Sequence, residues 1–90
     1  PGPPEPLRVV GVALPLEGKL WSLPAPNRHF HLLEHMIRSG CRPPLSTRDQ
    51  GFLLSDGRWA SRRAAERVAR LAGQLTGELR GSILTSEDLW

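Results

Sequence analysis

Ninety residues with 39% hydrophobic content and a formal net charge of +3 make one domain that buries only about 60–65% of its unfolded surface, so its stability margin is thin and association with copies of itself would add to it. No apolar run approaches the ~18 residues needed to cross a bilayer, and "VVGVALPL" is broken early by Pro15, which excludes a membrane-spanning helix. Cys41 is the single cysteine, which excludes an internal disulfide and suits a reducing cytoplasm.

The opening "PGPPEP" has neither the basic start nor the small-residue cleavage site of a secretory signal, so residues 1–7 read as a disordered Pro-rich tail before one folded domain, 8–90. "LRVVGVALPLEGKLWSLP" predicts strands near residues 8–14 and 19–23, joined as a hairpin about Glu17-Gly18. Pro15 belongs at an edge or a strand end.

Asn27, following Pro26, is placed to accept from free N–H groups of the next turn, and Gly40 to supply a left-handed stop. Together they bracket a helix at about 28–39. At about 100° per residue, Phe30, Leu32, Leu33, Met36 and Ile37 form an arc facing the core, with His29 inside it. His31 and His35 share the opposite face with Arg28 and Arg38.

"CRPPLSTRDQ" has loop composition. In "GFLLSDGRWA", Asp56-Gly57 between apolar runs signals a second hairpin, because both central residues can take positive φ. Ser61 then caps a second helix with Ala64, Ala65, Val68, Leu71, Ala72 and Leu75 as its inner stripe. Arg62, Arg63, Glu66, Arg67 and Arg70 lie outside the stripe. "GSILTSEDLW" reads as a short strand followed by an acidic stretch, in which Trp90 needs cover. This order gives an α+β fold: a small, mainly antiparallel sheet with two helices packed on one face.

"HLLEH" has the spelling of a zinc protease, and His31 and His35, one turn apart, have spacing that permits a shared metal. A catalytic zinc also needs a third protein ligand, which nothing here clearly supplies, and the flanking arginines repel a dication. No metal is expected; a solvated basic face and part of an anion site remain as readings of that surface. There is no G-x-S-x-G, P-loop or Gly-rich dinucleotide fingerprint, so Ser46, Ser55, Ser61 and Ser86 lack the context of a nucleophile. Neither an enzyme nor a cofactor is expected.

Residues 42–70 hold seven arginines against Asp49, Asp56 and Glu66, and eleven of the twelve cations are arginine. The planar guanidinium grips phosphate through two bonds where lysine offers a point charge, which favours a phosphate-bearing partner. The candidate constellation is Arg28 and His29 at one helix start, Phe52, Arg58 and Trp59 on the second hairpin, and Arg62 and Arg63 at the other helix start. The plain alternative is that Phe52 and Trp59 are core and the arginines solvated.

"LWSLPAPNRHFHLLEHMI", "QGFLLSDGRWASRRAAERVARLAGQL" and the closing "SEDLW" together resemble small phage proteins of the first anti-Thoeris type, over residues 19–90. The resemblance implies a sponge: a ligand-binding domain that sequesters cyclic ADP-ribose-type immune signals without cleaving them, with cyclic oligonucleotides as additional cargo in some members. It implies a homo-oligomer built from dimers, with pockets between chains, acting in the cytoplasm of the infected bacterial host. Arg28, His29, Gln50, Phe52, Arg58, Ser86, Glu87 and Asp88 keep the family pattern. Trp59 and Ser61 depart from the phenylalanine and the Asp or Asn cap expected there, and the first helix is richer in histidine. A competing reading is a phage anti-defence or regulatory protein that binds nucleic acid, or a nucleic-acid-binding complex, through the Arg-rich second helix. Many phosphate contacts would make such binding strongly salt-dependent. Nucleic acid is the less favoured partner, and no membrane association is expected.

Overall fold

The computed structural model describes residues 7–43, 46, 48–75, 77–79, 81 and 83–90, with the side chain of Glu87 outside the description. Of the expected tail, residues 1–6 lie outside the described residues, while Leu7 packs against the core.

β1 (Val9–Leu16) and β2 (Lys19–Pro24) form the first hairpin, in register from Gly11 opposite Pro24 to Leu16 opposite Lys19. Glu17 (φ 50°) and Gly18 (φ 79°) are both left-handed, the two-residue turn whose twist matches that of the strands. β3 (Gly51–Leu54) pairs with the other edge of β1, and β4 (Trp59–Ala60) pairs with β3, giving an antiparallel sheet of order β2-β1-β3-β4. The β1–β3 ladder ends at Ala13 opposite Gly51. Pro15, with no N–H to donate, sits beyond it: β1 continues past the expected end at residue 14, and Pro15, opposite Leu20, lies where the strand pairs with β2 alone.

The second hairpin turns differently from the expectation. Only Gly57 is left-handed (φ 89°). Its N–H donates to the Leu54 carbonyl at 2.9 Å, and the Leu54 N–H donates to the Arg58 carbonyl at 2.8 Å, so Ser55, Asp56 and Gly57 form a three-residue loop. Asp56 accepts the Arg58 N–H at 3.1 Å, the side-chain bond by which aspartate builds a turn without itself becoming left-handed.

α1 (His29–Arg38) and α2 (Arg62–Leu71) join one core cluster with Val12, Leu14, Phe52 and Leu54. Those strand residues are two apart along β1 and β3 and so share a sheet face. Both helices cover that face, as expected. Their inner stripes are narrower than expected: α1 buries His29, Leu32 and Met36, while Phe30 and Ile37 are each 61% exposed. His29 takes the core position at the helix start, which turns its neighbour Phe30 outward. On α2 the Ser61 hydroxyl accepts the Ala64 N–H at 3.2 Å, the expected cap. That helix buries Ala65 and Ala69, leaves Ala64 exposed and places Leu71 83% in solvent. The small alanines let α2 approach the sheet along one line; of the predicted stripe Leu75 also joins the core and Val68 packs against it, while Ala64 and Leu71 fall to the side.

The expected short strand in the last ten residues is replaced. Leu84 plugs the core and a 3-10 turn follows over Ser86–Asp88; Ser82 lies outside the described residues. Trp90 is partly buried against the core cluster.

Candidate functional site

The starts of both helices and the last seven residues converge on one corner of the fold. Arg28 holds the N-cap position of α1 in extended conformation (φ −104°), where Ser, Thr, Asp or Asn would stabilise the helix by about 1 kcal/mol. A guanidinium has no acceptor to offer the first turn. Half of a capping box survives through His31, whose Nδ1 accepts the Arg28 N–H at 2.9 Å. Arg28 Nη1 is buried without a hydrogen-bond partner. An unmet donor of this kind costs about 1–3 kcal/mol, and more when charged.

Arg62, at the first position of α2, turns inward. Its Nη1 donates to the Leu84 carbonyl at 2.7 Å, and its Cζ lies 5.9 Å from the centroid of the Phe52 ring. Burial lowers its pKa, yet a guanidinium stays charged.

His29 packs edge-on to the same ring, with centroids 4.9 Å apart and planes at 82°. Its Nε2 lies 2.7 Å from the Gly51 carbonyl oxygen, which can only accept, so Nε2 carries the proton. Burial pushes the pKa of His29 down to about 4; the Gly51 hydrogen bond opposes that shift and the charge of Arg62 adds to it. The ring is therefore neutral at physiological pH.

Between these groups lies a cavity of about 200 Å³ lined by Arg28, His29, Phe30, Arg62, Thr85 and Ser86. No carboxylate is among the described residues that line it. The wall formed by Thr85 is fixed by Asp88, whose Oδ2 accepts both the Thr85 N–H and its hydroxyl at 2.9 Å. A second cavity, about 580 Å³, shares Arg62 in its lining, with Ser46, Arg48, Ser61, Arg63 and Ile83.

The sequence-based constellation is thus partly assembled. Arg28, His29, Arg62 and Ser86 meet at one cavity, with Phe52 as the ring against which His29 and Arg62 are set. Arg63 faces the neighbouring cavity. Gln50 is buried just before β3. Arg58 is not brought to the cavity; it pairs with Asp56 in the exposed hairpin loop. Trp59 covers Gly51 instead: a Cβ at Gly51 would run into the Trp59 indole and the Ala60 carbonyl. Asp88 acts on the wall, and the side chain of Glu87 lies outside the described residues. Thr85 and Phe30 are additions. Thr85 was legible, because Thr-Ser-Glu-Asp has the spacing of a capping box; Phe30 was hidden by its place in an apolar arc.

His31 is engaged in the α1 cap, and His35 packs edge-on to Trp21 at 5.8 Å. Among the described residues no three His, Cys, Asp or Glu side chains are grouped to hold a metal ion.

A search of curated proteins and a search of solved structures return no match. A family model described as Phage T4 y16D protein does match, over residues 8–90, which agrees with the phage origin implied by the sequence resemblance. With nearly the whole chain covered, the protein belongs to that family of phage proteins.

Proposed function

We propose that the protein captures a phosphate-bearing, nucleotide-type signal of the cyclic ADP-ribose class in the infected bacterial cell, withholds it from its receptor and releases it unaltered. The observation that carries this reading is Arg28 Nη1: a buried cationic donor without a partner, on a side chain lining the same cavity as Arg62. A phosphate oxygen satisfies such a donor through a charge-assisted bond about twice as strong as a neutral one. The lining also offers hydroxyl groups from Thr85 and Ser86 and a neutral imidazole, which suit a sugar.

Size points to a shared site. About 200 Å³ in one protomer is below the roughly 300–1,000 Å³ of small-molecule pockets, enough for a phosphate and part of a sugar. A second copy would supply the rest. Phe30 at the cavity rim and Ile37, two turns along the same face of α1, are both exposed and give that copy an apolar surface to cover.

Calorimetry with cyclic ADP-ribose isomers tests the proposal, followed by heat denaturation and analysis of the released ligand. Binding with recovery of the intact molecule is expected. No binding to any isomer, or recovery of a cleaved product, overturns it.

The nucleic-acid reading keeps one observation in its favour. The outer face of α2 presents exposed Arg63 and Arg67 beside the solvated Leu71. Affinity for a single- or double-stranded oligonucleotide that falls steeply with salt, and is lost in Arg67→Glu but retained in Arg28→Ala, would favour it.

A further inference from the structure

The arginines bring only donors to the cavity, and the Thr85 and Ser86 hydroxyls rotate to donate or accept. His29 is different in kind. Its ring is held on two sides: Nε2 gives its proton to the Gly51 carbonyl at 2.7 Å, and the Phe52 ring fixes its plane at 82°. A neutral imidazole that donates through one nitrogen keeps a bare lone pair on the other. That atom, Nδ1, makes no hydrogen bond among the described residues, and the ring lines the cavity together with Arg28 and Arg62.

We infer that His29 is the specificity-determining residue of this site, its Nδ1 accepting a hydrogen bond from a hydroxyl or amino group that the ligand carries next to its phosphate. The inference rests on the anion-capture reading above and narrows it: the preferred ligand carries a donor set apart from its acceptor-rich anion, as a sugar phosphate does, whereas the P–OH donor of inorganic phosphate sits on the anion itself. The two arginines take the anion, and the imidazole reads what is attached to it. Second-nitrogen hydrogen bonds are the usual way in which a histidine's tautomer is fixed, and here the Gly51 carbonyl sets it. An imidazolium at this position could not accept, and would face Arg62 as a like charge.

The test uses two small probes whose size suits the cavity, inorganic phosphate and ribose 5-phosphate, titrated by NMR into the wild-type protein and into His29→Leu. Leucine fills much of the same space and offers no acceptor. The wild type is expected to hold ribose 5-phosphate at least about tenfold tighter than phosphate, the discrimination of a single well-made hydrogen bond. His29→Leu is expected to lose that margin while its phosphate affinity stays within about twofold. An unchanged margin, or an equal fall for both probes, overturns the inference.

Nitrogen chemical shifts of the wild-type ring provide a second readout that does not depend on the variant folding. Nε2 should be protonated and Nδ1 bare, with Nδ1 responding to ribose 5-phosphate and not to phosphate; a proton on Nδ1 in the free protein overturns the assignment. A wild-type preference for ribose 5-phosphate that the His29 variant loses, together with no binding of any cyclic ADP-ribose isomer, rejects only the signal-capture reading. A wild type that binds neither probe rejects both.

Discussion

The indole N–H of Trp90 donates to the Asn27 carbonyl at 2.9 Å across 63 residues of sequence, and the same ring stands edge-on to Phe52 with centroids 6.4 Å apart. This contact fastens the last residues beside the start of α1 and so positions the Thr85–Ser86 wall. Trp90→Phe keeps a ring and loses one hydrogen bond, an expected cost of about 1 kcal/mol. In a domain of this size that lowers Tm by about 4–8 °C. Trp90→Ala should cost at least twice as much and weaken phosphate binding as well. Thermal melts and phosphate titrations of the two variants check this; identical melts would show that the ring contributes nothing beyond its N–H.

Acid should destabilise the fold through His29. Its folded-state pKa of about 4 lies below the ordinary 6.5, so between those values the unfolded chain binds a proton that the native ring refuses. Stability is therefore full above about pH 6.5 and is lost as pH falls toward 4, by a total of about 3 kcal/mol. Denaturant midpoints across that interval should fall in the wild type, with a distinctly flatter profile in His29→Gln. Equal slopes would remove His29 as the cause.

Arg28→Ala should separate binding from stability. The substitution deletes a buried donor that the free protein leaves unmet, so the apo fold should melt at the same temperature or higher. Ligand affinity should fall by about a hundredfold, as when one partner of a buried charge pair is truncated. Calorimetry and sedimentation of the same sample report affinity and assembly; retained affinity would place the anion elsewhere.

Gly51→Ala should be among the most damaging single changes. The added methyl group meets the Ala60 carbonyl and the Trp59 indole, and backbone in a sheet cannot move aside cheaply. A loss of about 3 kcal/mol is expected from overpacking, read as a drop in urea midpoint. A variant of unchanged stability would show that β4 is free to shift.

Periodicity and turn chemistry made most of the fold legible. Glu17-Gly18, Asn27, Gly40 and Ser61 marked ends that the strands and helices respect within one or two residues. What failed was finer. Asp56 satisfied the turn through its carboxylate rather than through its own φ, a choice between two loops that the Asp-Gly pair permits equally. Phe30 and Ile37 looked like core because an apolar arc shows which residues can be buried, whereas the line of contact with the sheet decides which are. The site divided along the same boundary. Arg28 and His29 adjoin in sequence and were readable as a unit. That Arg62 would leave its helix face for the Leu84 carbonyl, while Arg58 stays with Asp56, depends on how distant segments pack.

Gly51 stands at a crossing between the two sides of the sheet. Its carbonyl orients the imidazole on the helix-covered side, while its bare α-carbon accepts the Trp59 indole on the reverse. One peptide thus links the two faces, so a change at Trp59 that shifts Gly51 also shifts the acceptor that holds the imidazole.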